Sequence, residues 1–236
     1  MPLSAVLFDL FGTLVPTFSG ARFRQCLARM AGAVGVSPED FSRLWLRDTA
    51  RDRGTGVYRT MGDNVVAICR MLGVDASAEA VARAQEIRCE NTAGFLVHPR
   101  PEAVPALDAL RRKGIKLALV SDCSMDVPQT WSRSPLASRL DTAVFSCVVG
   151  VRKPDPAIYR EACTDLGVTP EQCLYVGDGC SRELTGARAL GMRPVLLRAP
   201  DVERPLPADC EVDTWDGEAV DLLSEVLDLL DTEKQN

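Results

Sequence analysis

Two carboxylates, a hydroxyl and an ammonium group stand at or near the ends of short apolar runs that are scattered along the 236-residue chain. They belong to Asp9, Asp178, Ser121 and Lys153. One carboxylate can act as a nucleophile, the ammonium offsets negative charge, and the hydroxyl can hydrogen-bond a transferring group. Two neighbouring carboxylates also favour Mg²⁺, a hard cation that prefers oxygen ligands. The set therefore suits phosphoryl transfer or ester displacement.

Short strands must bring these side chains together. The apolar run at 5–8, directly before Asp9, has the length of a strand that is buried on both faces. Further strands are predicted at 116–120, 143–146, 173–176 and 194–197, and helical patterns alternate with them. Parallel strands place their carboxyl ends on one edge of a sheet, where α/β proteins bind ligands. We therefore expect an α/β core with its site at that edge, a proline-rich loop at 200–207 and a terminal helix over 219–230.

The stretch between the first strand and the second is helical throughout. Apolar residues at helical spacing predict four helices, near 23–34, 38–45, 65–72 and 81–87. The second helix begins with a capping box, Ser37-Pro38-Glu39-Asp40. We expect residues 16–98 to form a small helical cap inserted into a core of residues 1–15 and 99–236. Its hinges would be at 16–20 and 98–101.

Composition restricts the partners. A formal charge of -6 and a pI near 5.0 give no electrostatic footprint for nucleic acid or an anionic membrane. No apolar run is long enough to span a bilayer, and no basic segment precedes the first strand, so we expect a cytoplasmic protein acting on a small polar molecule. The 9 cysteines form no CxxC pair, which suggests neither a disulfide framework nor zinc; we expect buried thiols. The oligomeric state cannot be read from the sequence.

Four short motifs occur in a fixed order: DLFGTL at 9–14, VSD at 120–122, RKPDPAIY at 152–159, and VGD at 176–178 with Glu183 downstream. In that order they resemble the four signature motifs of the haloacid dehalogenase superfamily, from residue 5 to about residue 197. The resemblance implies a Rossmann-like core with a helical cap and Asp9 as the covalent nucleophile. Ser121 and Lys153 would hold the charged group. Mg²⁺ would lie on Asp9, Asp178 and the backbone carbonyl of Phe11, and Glu183 would support that metal site.

The first motif departs from the phosphatase pattern at Phe11. Phosphatases of this superfamily usually carry a second aspartate there, as the acid and base of the reaction. Phenylalanine cannot exchange a proton, and such a loss typically costs roughly 10² to 10⁴ in rate. Dehalogenase members resemble this chain in having an aromatic residue there, and Tyr159 fits them too. Asp122, Asp178 and Glu183 do not fit the dehalogenase pattern.

Three functions therefore stay open. The first is a Mg²⁺-dependent hydrolase of a small phosphorylated metabolite, which the acidic groups favour. The others are a 2-haloacid dehalogenase and a phosphate-binding member without turnover, both motivated by Phe11. Around the nucleophile we expect substrate contacts from Phe11, Gly12, Thr13, Asp122 and Tyr159.

In the cap, dehalogenases place a halide-binding arginine after a Leu-Trp pair. Here Leu46 follows Leu44-Trp45, and Arg47, the candidate substrate contact, lies one position further on. Arg47 belongs to a group bordering the glycine break at 54–56, and such a charged group is more often a solvent-exposed face. Ser121 and Glu183 also have structural interpretations, as a helix cap and as a partner of a helix dipole. The members of the cap group are Arg47, Arg51, Arg53 and Tyr58.

Overall fold

The centre of the molecule is a parallel sheet of six strands in the order β3-β2-β1-β4-β5-β6. We analysed a computed structural model, which describes residues 2–17, 20–199 and 212–232. The sheet confirms the predicted α/β class, and its strand order is that of Rossmann-like folds. The strands are β1 (Ala5–Phe8), β2 (Lys116–Ser121), β3 (Thr142–Phe145), β4 (Cys173–Gly177), β5 (Arg193–Leu197) and β6 (Ala219–Val220).

Helices cover both faces of the sheet, because alternate residues of each strand point to opposite sides. Val6 and Phe8 pack with helices α6 and α11, whereas Ala5 and Leu7 pack with α9 and α10. All four residues of β1 are fully buried, as the apolar run predicts. The helices that follow the cap are α6 (Ala103–Arg112), α7 (Asp126–Thr130), α8 (Ser146–Val149), α9 (Pro156–Leu166), α10 (Glu183–Ala189) and α11 (Val226–Thr232).

The inserted helices have a hydrophobic cluster of their own, built around Leu27, Phe41, Trp45 and Ile68. We call residues 16–98 the cap; the exact division of the chain into two units stays a prediction. The second predicted helix is interrupted, because a π-helical turn at Leu44–Asp48 separates α2 from α3. The cap helices are α1 (Gly20–Ala33), α2 (Pro38–Arg43), α3 (Ala50–Gly54), α4 (Met61–Met71) and α5 (Ala78–Leu96).

The terminal helix predicted over 219–230 begins later than predicted, so the prediction was wrong at its start. Residues 219–220 form β6, in which Val220 pairs with Leu197 of β5, and α11 begins only at Val226. A two-residue strand depends on a partner strand and leaves no periodicity in the sequence. Ser146 likewise begins α8 and does not end β3. The predicted loop at 200–207 and hinge residues 18–19 lie outside the described residues. Within the described ranges, no helix combines the length and the apolar character that crossing a membrane requires.

Sheet register decides which residues meet at the carboxyl edge. Phe8 pairs with Leu119 on one side and with Val176 on the other. Asp9, the residue that directly follows β1, is therefore flanked by the ends of β2 and β4. The strand order changes direction around β1, and this is the point at which open α/β sheets bind ligands.

Candidate active site

Asp9 follows β1, and both of its carboxylate oxygens accept hydrogen bonds. Lys153 Nζ donates to Oδ1 at 2.6 Å, and the hydroxyl of Thr13 donates to Oδ2 at 3.2 Å. The side chain is 8% exposed and lines a cavity between the cap and the core. Buried partners thus orient the carboxylate while part of it still reaches the cavity.

The turn after Asp9 requires glycine at position 12. Gly12 has φ +89, and a Cβ atom there would lie 2.1 Å from Oδ2 of Asp178. The turn is also tied to the segment that follows the cap. Arg100 Nη2 donates to the carbonyl of Gly12 at 3.0 Å, and the backbone N–H of Arg100 donates to the carbonyl of Leu14 at 2.9 Å. The missing side chain therefore lets the turn after Asp9 approach Asp178 closely.

Three buried carboxylates, those of Asp9, Asp178 and Glu183, meet at this edge of the sheet. One oxygen of each lies within 4.8 Å of the others. The ammonium of Lys153 contacts Asp9 and Glu183, each at 2.6 Å. Three carboxylates and one ammonium leave two negative charges when all are ionised, and buried charge requires compensation. Hard oxygen donors and this charge balance both fit a divalent cation such as Mg²⁺.

Glu183 is held from several directions. It accepts hydrogen bonds from Lys153 Nζ at 2.6 Å, from the hydroxyl of Tyr175 at 2.8 Å and from the backbone N–H of Gly179 at 3.0 Å. A Cβ atom on Gly177 would lie 2.1 Å from its Oε1. With so many donors already on its carboxylate, Glu183 is better suited to hold Lys153 and the cluster in place than to contact substrate.

Lys153 stays charged in this environment. Burial lowers its pKa, but the carboxylates of Asp9, Glu183 and Asp122 outweigh that effect and hold the pKa well above its ordinary value. The ammonium is therefore a fixed positive charge beside the carboxylate of Asp9.

Asp122 joins two of the motifs. Its Oδ1 accepts from the backbone N–H of Lys153 at 3.0 Å, and its Oδ2 accepts from Nε of Arg152 at 3.4 Å. Asp122 also lines the cavity. It therefore fixes the loop that carries Lys153 as well as facing the space where a substrate would bind.

Ser121, Tyr159 and Arg47 are among the predicted site residues that do not line the cavity. Ser121 ends β2 and is fully buried, and its hydroxyl has no hydrogen-bond partner among the described residues. Tyr159 is fully buried on α9, where its hydroxyl donates to the carbonyl of Glu183 at 3.0 Å, and its substrate contact stays a prediction. Arg47 is exposed in the π-helical turn, because Leu44 and Trp45 of that turn point into the cap core.

The cavity measures about 260 Å³ and is lined by residues of both the core and the cap. From the core, Asp9, Phe11, Asp122 and Lys153 line it. The cap contributes Phe23, Trp45, Arg53 and Arg88. Of these basic residues, Arg53 carried a sequence signal as a neighbour of the glycine break, whereas Arg88 carried none, because an arginine on a helix is ordinarily solvent-exposed.

A buried ion pair and a close backbone approach hold the cap on the core. Arg88 of α5 contacts Asp126 of α7 at 2.9 Å, and the two side chains are 6% and 0% exposed. On the other side of the cavity, a Cβ atom on Gly56 would lie 2.0 Å from the carbonyl oxygen of Cys147. The glycine break in the cap thus fits directly against α8.

The cysteines largely match the prediction of buried thiols. Free cysteines at 26, 69, 147, 163 and 173 are buried. Cys180, which lines the cavity, departs from it because it is disulfide-bonded. Sequence separation does not show which cysteines meet in space, so this bond could not be predicted.

Comparison with known proteins decides the family. The sequence model of the haloacid dehalogenase-like hydrolases matches residues 3–191. The chain belongs to this family. The match covers β1 to α10, and with them every motif residue at the carboxyl edge of the sheet.

Relatives of this haloacid dehalogenase-like hydrolase include two kinds of enzyme. It is 31% identical over 202 residues to a glyceraldehyde 3-phosphate phosphatase of Methanopyrus kandleri, covering 83% of this chain and 84% of that protein. It is 29% identical over 239 residues to an N-acetylmuramic acid 6-phosphate phosphatase of Pseudomonas aeruginosa, covering 98% and 96%. The crystal structure of a 2-haloacid dehalogenase from Pseudomonas syringae pv. Tomato superposes with a TM-score of 0.68 at 28% identity, covering 98% and 99%.

Proposed function

We propose that this hydrolase is a Mg²⁺-dependent phosphatase of a small phosphorylated metabolite and that it acts through an aspartyl-phosphate intermediate on Asp9. The observation that carries the proposal is the cluster of Asp9, Asp178 and Glu183 with a single ammonium group, that of Lys153. A reaction at carbon has no need of this excess of buried carboxylate.

The metal site would use the residues closest to the nucleophile. Asp9 and Asp178 would hold Mg²⁺ together with the backbone carbonyl of Phe11, and Glu183 would support the cluster from behind. When bound, the ion supplies electrostatic stabilisation for the charged phosphoryl group.

Asp9 would attack the phosphorus atom of the substrate. A bond forms between an oxygen of Asp9 and phosphorus, and the bond between phosphorus and the ester oxygen breaks. Lys153, which contacts Asp9 at 2.6 Å, offsets the negative charge of the nucleophile and of the transferring group. Water then attacks the phosphorus of the intermediate, which releases phosphate and restores the Asp9 carboxylate.

Proton transfer is the weak step of this cycle. Phe11 lines the cavity where the phosphatase pattern would place a second aspartate, and it can neither protonate the leaving oxygen nor activate water. These protons must then move through solvent or through the substrate itself. We therefore expect slow turnover on a generic phosphate ester.

The size of the cavity supports a small substrate. Its volume of about 260 Å³ is below the range of sites for drug-sized ligands. Two of the relatives are named for phosphatase activity on a phosphorylated small molecule, glyceraldehyde 3-phosphate in one and N-acetylmuramic acid 6-phosphate in the other.

A 2-haloacid dehalogenase is the second candidate, and Phe11 is the observation that favours it. In that reaction Asp9 would attack the carbon that bears the halogen, and halide would leave without needing a proton. The third possibility, a phosphate-binding protein without turnover, has the same motivation.

A two-part assay separates these functions. Phosphate release from a broad panel of phosphate monoesters is measured with Mg²⁺ and with EDTA, and halide release from chloroacetate and 2-chloropropionate is measured in parallel. The proposal predicts Mg²⁺-dependent phosphate release that Asp9→Asn abolishes. Halide release without phosphate release would establish the dehalogenase. If Asp9→Asn and the wild type were equally inert in both assays, neither enzymatic candidate would survive.

A further inference from the structure

The motif that carries Lys153 also places an arginine in the wall of the cavity. Arg152 directly precedes Lys153 and lines the cavity, and its side chain is 33% exposed. It belongs to the core, yet it reaches the cap, since a Cβ atom on Gly54 of α3 would lie 3.1 Å from its Cδ and 3.6 Å from its Cζ. The glycine therefore leaves room for the arginine to lie between core and cap.

One side of this guanidinium is already occupied. Nε of Arg152 donates to Oδ2 of Asp122 at 3.4 Å, while Oδ1 of Asp122 accepts from the backbone N–H of Lys153 at 3.0 Å. Within the described parts of the chain, this is the only hydrogen bond of the Arg152 side chain. A guanidinium carries further N–H donors on its terminal nitrogens. Those of Arg152 are therefore available to an acceptor that enters the cavity.

The pair of Arg152 and Asp122 offers a donor and an acceptor side by side. Its two charges compensate each other, so the pair favours a neutral polar group over a second anion. Asp122 also lines the cavity, and a carboxylate oxygen that accepts one hydrogen bond can accept another. A hydroxyl group makes use of both partners, because its oxygen accepts from the guanidinium while its proton is donated to the carboxylate.

We propose that Arg152, with Asp122 beside it, binds a hydroxyl group of the substrate, so that the preferred substrate is a small phosphate monoester of a polyol or sugar. This inference rests on the proposed function, which places the phosphoryl group at Asp9. Arg152 is then a specificity determinant on the same loop as Lys153, which fixes the hydroxyl subsite relative to the nucleophile. The cavity volume of about 260 Å³ restricts the substrate to a short carbon chain.

The test compares two non-hydrolysable phosphonates in the presence of Mg²⁺. 3,4-Dihydroxybutylphosphonate carries hydroxyl groups, and butylphosphonate has the same carbon chain without them. Calorimetry should show that the wild type binds the dihydroxy ligand about 10- to 100-fold more tightly, the usual worth of a hydrogen bond to a charged group. A merely apolar pocket would prefer butylphosphonate. Binding is measured without turnover, so the result does not depend on a slow proton-transfer step.

Three variants locate the effect. Arg152→Gln removes the guanidinium and should abolish the preference for the dihydroxy ligand. Asp122→Asn keeps an oxygen for the backbone N–H of Lys153 but replaces the other carboxylate oxygen by a donor, and it should also reduce the preference. Arg160→Gln removes an exposed arginine of α9 that does not line the cavity, and it should leave the preference unchanged. Circular dichroism of each variant establishes that the fold is intact.

The outcomes separate this inference from the proposed function. Equal affinity of the wild type for the two ligands, tighter binding of butylphosphonate, or an unchanged preference in folded Arg152→Gln would overturn the role of Arg152. If the preference depends on Arg152 but no phosphate ester is hydrolysed, the hydroxyl subsite stands and the phosphatase proposal fails. If esters are hydrolysed without regard to a hydroxyl group, the phosphatase stands and the subsite fails.

Discussion

Replacing Gly12 by alanine should weaken Mg²⁺ binding far more than it weakens the fold. The new Cβ atom would lie 2.1 Å from Oδ2 of Asp178, whereas ordinary contacts begin near 3.4 Å. The Asp178 carboxylate must therefore retreat by about 1.3 Å, the difference between those distances. Displacing a metal-site group typically costs about 10- to 100-fold in affinity, and a shift of about 1 Å can cost roughly 10²-fold in rate.

The substitution also strains the backbone, and a second glycine provides the control. Gly12 has φ +89 and Gly73 has φ +71, but a Cβ atom on Gly73 would meet nothing within 4 Å. Alanine in the left-handed region costs roughly 1 to 2 kcal/mol at either position. In a domain of this size that lowers Tm by about 2 to 8 °C.

Calorimetric titration with Mg²⁺ and phosphatase assays on the two variants separate strain from displacement. Gly73→Ala should have a lower Tm than the wild type but the same Mg²⁺ affinity and activity. In Gly12→Ala, Tm should fall by at least as much as in Gly73→Ala, and the Mg²⁺ affinity should fall as well. The reasoning about Asp178 would be refuted by a folded Gly12→Ala variant that binds Mg²⁺ as tightly as Gly73→Ala does.

Three further predictions concern the same cluster. Lys153→Met leaves the carboxylates of Asp9 and Glu183 buried without their ammonium, so urea unfolding should show a loss of roughly 3 to 5 kcal/mol and phosphate release should disappear; unchanged stability would argue against the ion pairs. Burial raises the pKa of Glu183 well above its ordinary 4.5, so without metal the folded state binds more protons than the unfolded state, and stability falls as pH rises above that value. Mg²⁺ should therefore raise Tm more at pH 8 than at pH 5, and equal shifts would contradict this. Phe11→Asp restores the missing acid and base, so phosphate release should rise by roughly 10²-fold or more; a fall would show that Phe11 belongs to the native chemistry.

The strand pattern was predictable because it depends on local sequence. Four apolar residues before Asp9 indicate a strand buried on both faces, and parallel pairing then fixes which edge Asp9 and Asp178 share. The meeting of Asp9, Lys153 and Asp178 at one edge of the sheet therefore follows from motif order and sheet geometry. The two-residue strand at 219–220 does not, because it exists only through its pairing with β5.

The cap side of the cavity could not be predicted in the same way. Arg47 lies in the π-helical turn and is exposed, whereas Arg53 lies in α3, which follows that turn, and lines the cavity. Arg88 is buried only because Asp126 of the core lies opposite it. Tyr159 belongs to the same sequence motif as Lys153, yet it is fully buried and packs against Tyr175. Each position depends on packing between elements that are distant in the chain.

The most direct measurement is mass spectrometry of the protein after rapid acid quench during turnover in ¹⁸O-labelled water. An aspartyl-phosphate route predicts a phosphoryl group on the peptide that contains Asp9, and ¹⁸O in the released phosphate, because water attacks phosphorus. The adduct should be absent from Asp9→Asn. Incorporation of ¹⁸O into the Asp9 carboxylate, with halide release from 2-chloropropionate and no phosphoryl adduct, would contradict the account, since it would show that Asp9 attacks carbon.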